Sequence, residues 1–281
     1  MKDFFGLMKD FFGLMKDFFG LIHKLFFNKK VMYFSIERVL FYFSILKLFL
    51  KLMSNLQNYK NKNVIISNSL NRSAQGLSLS EKRILFLGIA KINGKNQEVV
   101  ISAQDYSNTY SLTLDNSYKQ LKSASNNLFN RYFTFQAKDK KSIGLGKGRW
   151  IESYKYFDQE GYIKLSFSNI VYPYLFELER EFTRYKLEQA CALRSVYSWR
   201  FIELFEQYKQ TKWCKIPIEE FWHLMEAQDS YRQNFSLLRQ FIIERAVKEL
   251  TEKTNYDIQW STIKRGRKVV MLSFNFQNKT D

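Results

Sequence analysis

Cysteine, histidine, proline and glycine are all scarce in this chain, whose 281 residues include 2 Cys, 2 His, 2 Pro and 11 Gly. Cys191 and Cys214 are too few for a disulfide-stapled fold or a cysteine zinc site, and we expect both to be small buried apolar residues. His23 and His223 lie far apart in the chain, which argues against chemistry that needs paired histidines around a metal. The low glycine content argues against a glycine-rich cofactor-binding fold, so we expect no cofactor and no metal.

A long uncharged apolar run is also missing. Residues 31–52 are strongly apolar but include Glu37, Arg38, Lys47 and Lys51. No uncharged stretch therefore reaches the roughly 18 residues that a membrane-spanning helix needs. The stretch also lies too far from Met1 for a secretory signal and lacks a small-residue cleavage site. We expect a cytoplasmic protein with no membrane partner; a helix lying on a membrane surface is the alternative for this stretch.

Basic residues outnumber acidic ones. The chain has 44 Lys and Arg against 27 Asp and Glu, a net charge of +17, and +12 of it belongs to residues 53–281. An excess of this size indicates a polyanionic partner, either nucleic acid or an anionic membrane surface.

The N-terminal segment contains a repeat. MKDFFGL occurs three times without a gap, at residues 1–7, 8–14 and 15–21. A seven-residue unit is far shorter than the units of solenoid proteins, and Phe-Phe-Gly is a poor helix interior. We therefore expect residues 1–52, an apolar and basic extension, to lie outside the native fold.

The remainder divides into two halves, 53–178 and 179–281, that have a similar predicted order of helices and strands. In the first half, the pattern predicts an amphipathic helix, a strand, two more helices and a set of strands. These elements are expected at 79–92, 98–102, 102–109, 115–130, 132–137, 149–157 and 162–168, with a basic loop at 138–148. Three helices followed by a hairpin with a basic tip is the order of a winged helix.

The second half repeats this plan. Elements are expected as helices at 182–193, 195–210, 217–226 and 231–253, with strands at 213–216, 257–263 and 269–276. The sequence therefore predicts an α+β protein of two tandem winged-helix domains, 53–178 and 179–281, preceded by the extension.

The helix at 115–130 has an unusual polar face. Its apolar side chains fall within ~140° of arc, and the opposite face carries Lys, Asn and Ser without an acid. Those side chains suit base edges and phosphates, although a merely solvated face is the alternative. The nearby GLGKG at 144–148 lacks the Ser or Thr and the following helix of a nucleotide-binding loop, so we interpret the 138–148 loop as a DNA-facing wing.

The second hairpin has a basic turn, KRGRK at 264–268. Four cations on one turn repel each other unless a polyanion lies against them, although a solvated turn is the alternative.

Residues 60–277 resemble the replication initiator (Rep) proteins of iteron-containing, theta-replicating plasmids, the group that includes the F-plasmid initiator. In the second half the resemblance rests on TRY at 183–185, LRSVYSWRFIEL at 193–204, Tyr231 with Phe235, Ala246 with Glu249, and KRGRK at 264–268 before Phe274. In the first half it rests on LSEKR at 79–83 and on Asp105-Tyr106 with Tyr118 and Leu121.

The resemblance implies two winged helices related by a pseudo-dyad, each placing a recognition helix in the DNA major groove. In the second domain that helix is 231–253, and the residues implied are Arg232, Asn234, Ser236, Arg239 and Gln240. In the first domain it is 115–130, and the residues implied are Lys119, Lys122, Ser123, Asn126 and Asn127. The implied phosphate contacts of the wing are Lys264, Arg265, Arg267 and Lys268. The segment containing Arg200 is interpreted as scaffold.

The resemblance also implies binding partners and a cellular location. Members bind repeated origin DNA, the iterons, as monomers and open the origin, and as homodimers they bind an operator and repress their own gene. Host initiator and replicative helicase are the implied protein partners. The implied protein is bacterial, plasmid-encoded, cytoplasmic and not an enzyme.

Iterons offer a second interpretation of the N-terminal repeat. Seven codons are 21 nucleotides, close to two turns of B-DNA at ~10.5 bp per turn. Our hypothesis is that residues 1–21 are iterons translated in frame and that the natural start is Met53. A membrane-surface or self-association segment is the alternative.

Three other functions remain as alternatives. A winged-helix transcriptional regulator would bind one palindromic operator rather than direct repeats. A nicking initiator would use one of the many tyrosines, but no histidine pair accompanies them. A membrane-associated interaction protein would depend on residues 22–52.

Overall fold

The computed structural model describes residues 16, 59–92, 97–139, 142–176, 178 and 181–279. The predicted extension at 1–52, its repeats and the Met53 start lie outside the described residues, apart from Lys16. In the described part of the chain, no helix combines the length and apolar character that crossing a bilayer requires.

The first domain is built around a three-stranded sheet. Its strand order is β2-β6-β5, and both pairings are antiparallel. A separate two-stranded hairpin, β3–β4, follows the helix at Leu114–Phe129 in the chain and precedes β5. The elements are α2 (Leu79–Lys91), β2 (Glu98–Ser102), α3 (Ala103–Tyr110), α4 (Leu114–Phe129), β3 (Tyr132–Asp139), β4 (Ser142–Arg149), β5 (Ile151–Phe157) and β6 (Tyr162–Phe167).

The second domain repeats the same topology. Its sheet order is β8-β10-β9, so in both domains the first strand pairs with the last. The elements are α7 (Val196–Gln207), β8 (Trp213–Pro217), α8 (Ile218–Leu224), α9 (Asp229–Gln233), α10 (Phe235–Leu238), a π-helical turn (Arg239–Glu244), α11 (Arg245–Lys253), β9 (Tyr256–Arg265) and β10 (Lys268–Asn278). We call α10, the π-helical turn and α11 together the composite helix. Two winged-helix topologies in tandem confirm the predicted fold class.

Short elements connect the two domains. They are a 3₁₀ turn (Tyr59–Asn61), β1 (Asn63–Ser67), α1 (Asn68–Arg72), α5 (Tyr172–Phe176), β7 (Phe182–Lys186) and α6 (Glu188–Cys191). Strand β1 pairs antiparallel with β7, although they are more than 100 residues apart in the chain. The helix predicted at 182–193 is therefore wrong in its first part, because residues 182–186 alternate between exposed and buried in a strand. The domain boundary at 178/179 stays a prediction.

Local sequence explains where the helices begin. Ser78 accepts a hydrogen bond from the Glu81 amide while the Glu81 carboxylate accepts one from the Ser78 amide, a reciprocal capping box at the start of α2. Ser102 and Asp105 make the same arrangement at the start of α3. Helix α4 buries Leu121, Ala124 and Leu128, as its apolar stripe predicted.

The first helices of the two domains meet at a buried ionic cluster, which consists of Lys82, Arg200 and Glu203. The Lys82 Nζ atom lies 2.7 Å from Glu203 Oε1, and Arg200 Nη1 lies 2.8 Å from Glu203 Oε2. Lys82 and Glu203 are fully buried. Desolvation lowers the pKa of the Lys82 amine below its ordinary value, and the Glu203 carboxylate opposes that shift.

Neighbouring polar groups complete this cluster. The Gln75 side chain accepts from Lys82 Nζ at 2.6 Å, and Arg200 donates to the carbonyl oxygens of Ser73 and Leu224. Arg200 is therefore part of the interior, as predicted for the segment around it. Because every charge has a partner, the cluster ties α2 of the first domain to α7 of the second.

The two cysteines are buried and form no disulfide bond, which confirms their predicted role as packing residues. Burial raises the pKa of both the Cys191 and Cys214 thiols to about 12. Neither thiol is therefore ionised near neutral pH.

We expect Glu203→Gln to lower the free energy of unfolding by about 3–5 kcal/mol. The substitution keeps the shape of the side chain but removes the charge that compensates two buried cations. Urea unfolding followed by circular dichroism measures the change. The control is Lys248→Met, which breaks an exposed ion pair with Glu252 and should cost about 0.5 kcal/mol or less. Equal effects of the two substitutions would contradict the compensating role of Glu203.

Candidate nucleic-acid interface

In the second domain, the composite helix and the β9–β10 hairpin enclose a groove of about 1000 Å³. We call it the second-domain groove. Five of its lining residues are cations, and these are Arg232, Arg239, Lys264, Arg267 and Lys268. Ser236 and Trp260 line it as well. The groove therefore brings together most of the residues predicted for this domain, and it omits Asn234, Gln240 and Arg265.

The composite helix starts later than the sequence predicted. A single helix over 231–253 is wrong, because Asn234 has extended backbone angles and its side chain accepts a hydrogen bond from the Ser236 amide at 3.0 Å. Asn234 is thus the N-cap of α10. Arg232 belongs to the preceding helix α9, where its Nε atom donates to the Ala227 carbonyl oxygen at 2.7 Å.

Contacts with α7 and with the residues just before it fix the position of the composite helix. The carboxylate of Glu249 accepts hydrogen bonds from the Arg194 amide at 2.8 Å and the Ser198 hydroxyl at 2.6 Å. The helical spacing of Phe235, Leu238, Ile242 and Ala246 predicts a core stripe. The last three are buried, whereas Phe235 is half-buried and lines the groove. The opposite side is therefore presented to the groove.

Arg239 lies in the π-helical turn and is more than half exposed. Its Nε atom lies 2.7 Å from Glu244 Oε1, and its guanidinium carbon lies 5.9 Å from the centre of the Trp260 ring. Gln240 is also exposed, although it does not line the groove.

The turn of the β9–β10 hairpin carries an exposed set of four cations, which we call the basic tip: Lys264, Arg265, Arg267 and Lys268. Gly266 takes a left-handed φ of 61° there, a conformation that favours glycine. Within the described residues no carboxylate forms an ion pair with any of the four. The basic tip therefore keeps its full positive charge toward solvent.

In the first domain, all the predicted contact residues of α4 are exposed. Lys122, Ser123, Asn126 and Asn127 line a groove of about 400 Å³ together with two tyrosines of β5, Tyr154 and Tyr156. We call it the first-domain groove. Lys119 does not line it, and instead lies 2.8 Å from Asp115 on the same helix.

A hydrogen bond and an ion pair order the first-domain groove. The Tyr154 hydroxyl donates to Asn126 Oδ1 at 2.9 Å, and Lys122 Nζ lies 3.3 Å from Asp158 Oδ2 and 5.3 Å from the Tyr156 ring centre. Burial, with a smaller contribution from Asp158, raises the pKa of Tyr156, which stays a neutral hydrogen-bonding group. The Lys122 ammonium therefore has a carboxylate at ion-pair distance, and both side chains are more than half exposed.

The wing of the first domain is not the loop that the sequence indicated. Most of residues 138–148 belong to β3 and β4, a two-stranded hairpin separate from the winged-helix sheet. The hairpin that completes that sheet is β5–β6, and its turn carries Asp158 and Glu160 instead of cations. At Gly161 in this turn φ is 64°, and a Cβ atom would lie 2.2 Å from the Tyr118 ring, so the turn lies directly against α4.

Sequence reasoning missed the aromatic residues of both grooves. Tyr154 and Tyr156 are two apart on β5 and so share one face of the strand, as do Trp260, Thr262 and Lys264 on β9. This alternation of side chains along a strand, next to a helix already predicted to contact DNA, could have indicated these aromatic residues.

Comparison with known proteins matches the whole two-domain region. The family model described as Initiator Replication protein, WH1, matches residues 63–206, and the model described as Initiator Rep protein, WH2, matches residues 217–276. The PI protein of Escherichia coli is 24% identical over 251 residues, which cover 74% of this chain and 80% of that protein. An uncharacterized 27.6 kDa protein of Escherichia coli is 24% identical over 219 residues, covering 72% and 90%.

A solved structure shares the fold. The crystal structure of Pi initiator protein in complex with iteron DNA aligns with a TM-score of 0.67 at 23% identity, covering 79% of this chain and 99% of that one. The first family model alone spans just over half of the chain, and the second follows it over the second winged helix. The chain therefore belongs to the family of replication initiator proteins with two winged-helix domains.

Proposed function

We propose that this protein is a plasmid replication initiator that binds direct repeats, the iterons, through its two winged helices. The observation that carries the proposal is the second-domain groove, where a recognition helix and an uncompensated basic tip face the same space. Family membership and the likeness to a Pi initiator solved with iteron DNA support it.

The groove supports distinct roles for its residues. Arg239 and Ser236 lie on the exposed side of the composite helix and suit base edges, whereas the basic tip suits phosphates. Arg232 and Asn234 have local structural contacts that account for them, so their part in base recognition, like that of Gln240, stays a prediction.

The first-domain groove supports a less charged interaction. Its exposed groups are Ser123, Asn126 and Asn127, with Tyr154 beside them, while its two lysines are paired with aspartates. This surface suits hydrogen bonding to base edges and backbone more than electrostatic attraction.

Further parts of the proposal follow from the family. The bound protein opens the origin and recruits the host initiator and replicative helicase, and a homodimer represses its own gene at an operator. We propose that it acts in the bacterial cytoplasm by binding alone, without enzymatic chemistry or a cofactor.

A mobility shift with the full chain tests the proposal. The probe is the DNA that encodes residues 1–28, because a seven-codon repeat has the 21-nucleotide phase of two helical turns. We expect a ladder of discrete complexes, one per repeat, that survives scrambled competitor at near-physiological salt. The same assay with residues 53–281 should give the same ladder if Met53 is the natural start.

Other outcomes of that assay are informative. Specific binding only to another fragment of the replicon would place the repeats elsewhere and leave the initiator proposal standing. A single complex on one palindromic site would favour a transcriptional regulator. No specific complex with any replicon fragment would contradict the proposal.

Arg239→Ala is expected to weaken binding to the true site by roughly 1–3 kcal/mol and to relax preference at one base pair. The physical reason is loss of a guanidinium exposed at the recognition helix. Titration against single-base variants of the site measures it. Arg245→Ala is the matched control, since Arg245 is on the same helix but does not line the groove. Unchanged affinity and unchanged preference would remove Arg239 from the base contacts.

Arg267→Ala is expected to weaken binding about equally on every sequence and to reduce the salt slope by about 1. The basic tip has no internal carboxylate partner in the described residues, so its charge is available to phosphates. Affinity measured across a salt series gives the slope. Lys186→Ala removes one exposed charge from β7, outside both grooves, and should leave the slope unchanged. A sequence-dependent loss for Arg267→Ala would argue for a base contact instead.

A further inference from the structure

The second-domain groove contains an acid, which opposes general electrostatic attraction to DNA. Among the described residues that line it, Glu244 is the only carboxylate, against five cations. A carboxylate facing a polyanion lowers general affinity. Glu244 therefore does not strengthen the electrostatic attraction to DNA, and its presence in the groove needs another explanation.

The geometry of the helix brings Glu244 to Arg239. On an α-helix, residues five apart point ~140° away from each other. Because the segment Arg239–Glu244 is π-helical, with hydrogen bonds between residues i and i+5, its first and last residues instead fall near the same side of the helix. The 2.7 Å ion pair between Arg239 Nε and Glu244 Oε1 depends on this local change of helix type.

The ion pair orients the guanidinium. Arg239 uses Nε for the carboxylate, and its plane lies near the Trp260 ring on β9. In the described part of the chain, Nη1 and Nη2 have no hydrogen-bond partner. That free edge carries the two parallel donors that match the O6 and N7 atoms of guanine.

We propose that Glu244 is a positioning residue for sequence readout. It holds Arg239 with the Nη1–Nη2 edge toward a base pair, and its own charge disfavours binding to DNA that lacks the matching base. This inference rests on the proposed function and names a determinant of its specificity.

The test compares Glu244→Gln and Glu244→Asp with the wild-type full chain on the specific site, on its single-base variants and on random-sequence DNA. Glu244→Gln removes the charge, so binding to random DNA should tighten by a few fold while the preference for one base pair falls about tenfold. Glu244→Asp keeps the charge but shortens the side chain. It should reduce the same preference without tightening binding to random DNA.

Two controls separate positioning from general electrostatics. Glu252→Gln removes an equivalent exposed acid from the same helix, where Glu252 pairs with Lys248, and should leave the base preference within twofold of the wild type. In an Arg239→Ala background, Glu244→Gln should cause no further loss at that base pair, because the oriented group is already absent. Thermal melting by circular dichroism confirms that each variant is folded.

The outcomes distinguish the two proposals. Equal changes on specific and random DNA for both Glu244 variants, with the base preference intact, would overturn the positioning role while leaving sequence-specific binding established. A wild-type protein without any sequence preference would overturn the proposed function and this inference together.

Discussion

The buried pairing of Glu203 with Lys82 and Arg200 is the constraint on which the arrangement of the two domains depends. Lys82 lies on α2 and the other two on α7, the helices with which the two winged-helix topologies begin. Removing three charges from water costs several kcal/mol per ion, and only the complete set of partners offsets that cost. A displacement of either helix would separate them, so the cluster specifies one position of α7 against α2.

Helix α7 in turn fixes the recognition surface of the second domain. Arg200 donates to the Leu224 carbonyl oxygen at the end of α8, while Ser198 and the Arg194 amide hold Glu249 of the composite helix. Phe201 packs against Phe221 and Phe274, so the sheet that carries the hairpin is joined to the same helix. The exposed residues of the groove are thus positioned by contacts on the buried side of their elements.

Local patterns predicted much of this architecture, but not its long-range features. The period of 3.6 found the buried stripes of α4 and of the composite helix, because those stripes are set by neighbours in the chain. The break at Asn234 and the π-helical turn after it were missed, since Asn and Arg are compatible with a continuous helix and capping contacts decide the boundary. The first wing was assigned to the wrong hairpin because pairing of β6 with β2, about 60 residues earlier, determines which hairpin completes the sheet. The burial of Lys82 on α2 was not predicted, because it depends on Glu203, which is distant in sequence.

The same topology carries opposite charges on the two wings. The β5–β6 turn has Asp158 and Glu160, and Asp158 compensates Lys122 on the recognition helix of its own domain. The β9–β10 turn has four cations with no described carboxylate partner. Since counterion release depends on cations that are free to meet phosphates, the basic tip suits phosphate contact and the β5–β6 turn does not. The first-domain groove, with its neutral amides, hydroxyls and tyrosines, suits hydrogen bonding more than charge pairing. Two copies of one fold therefore present chemically different grooves, and the ionic cluster joins α2 of one copy to α7 of the other.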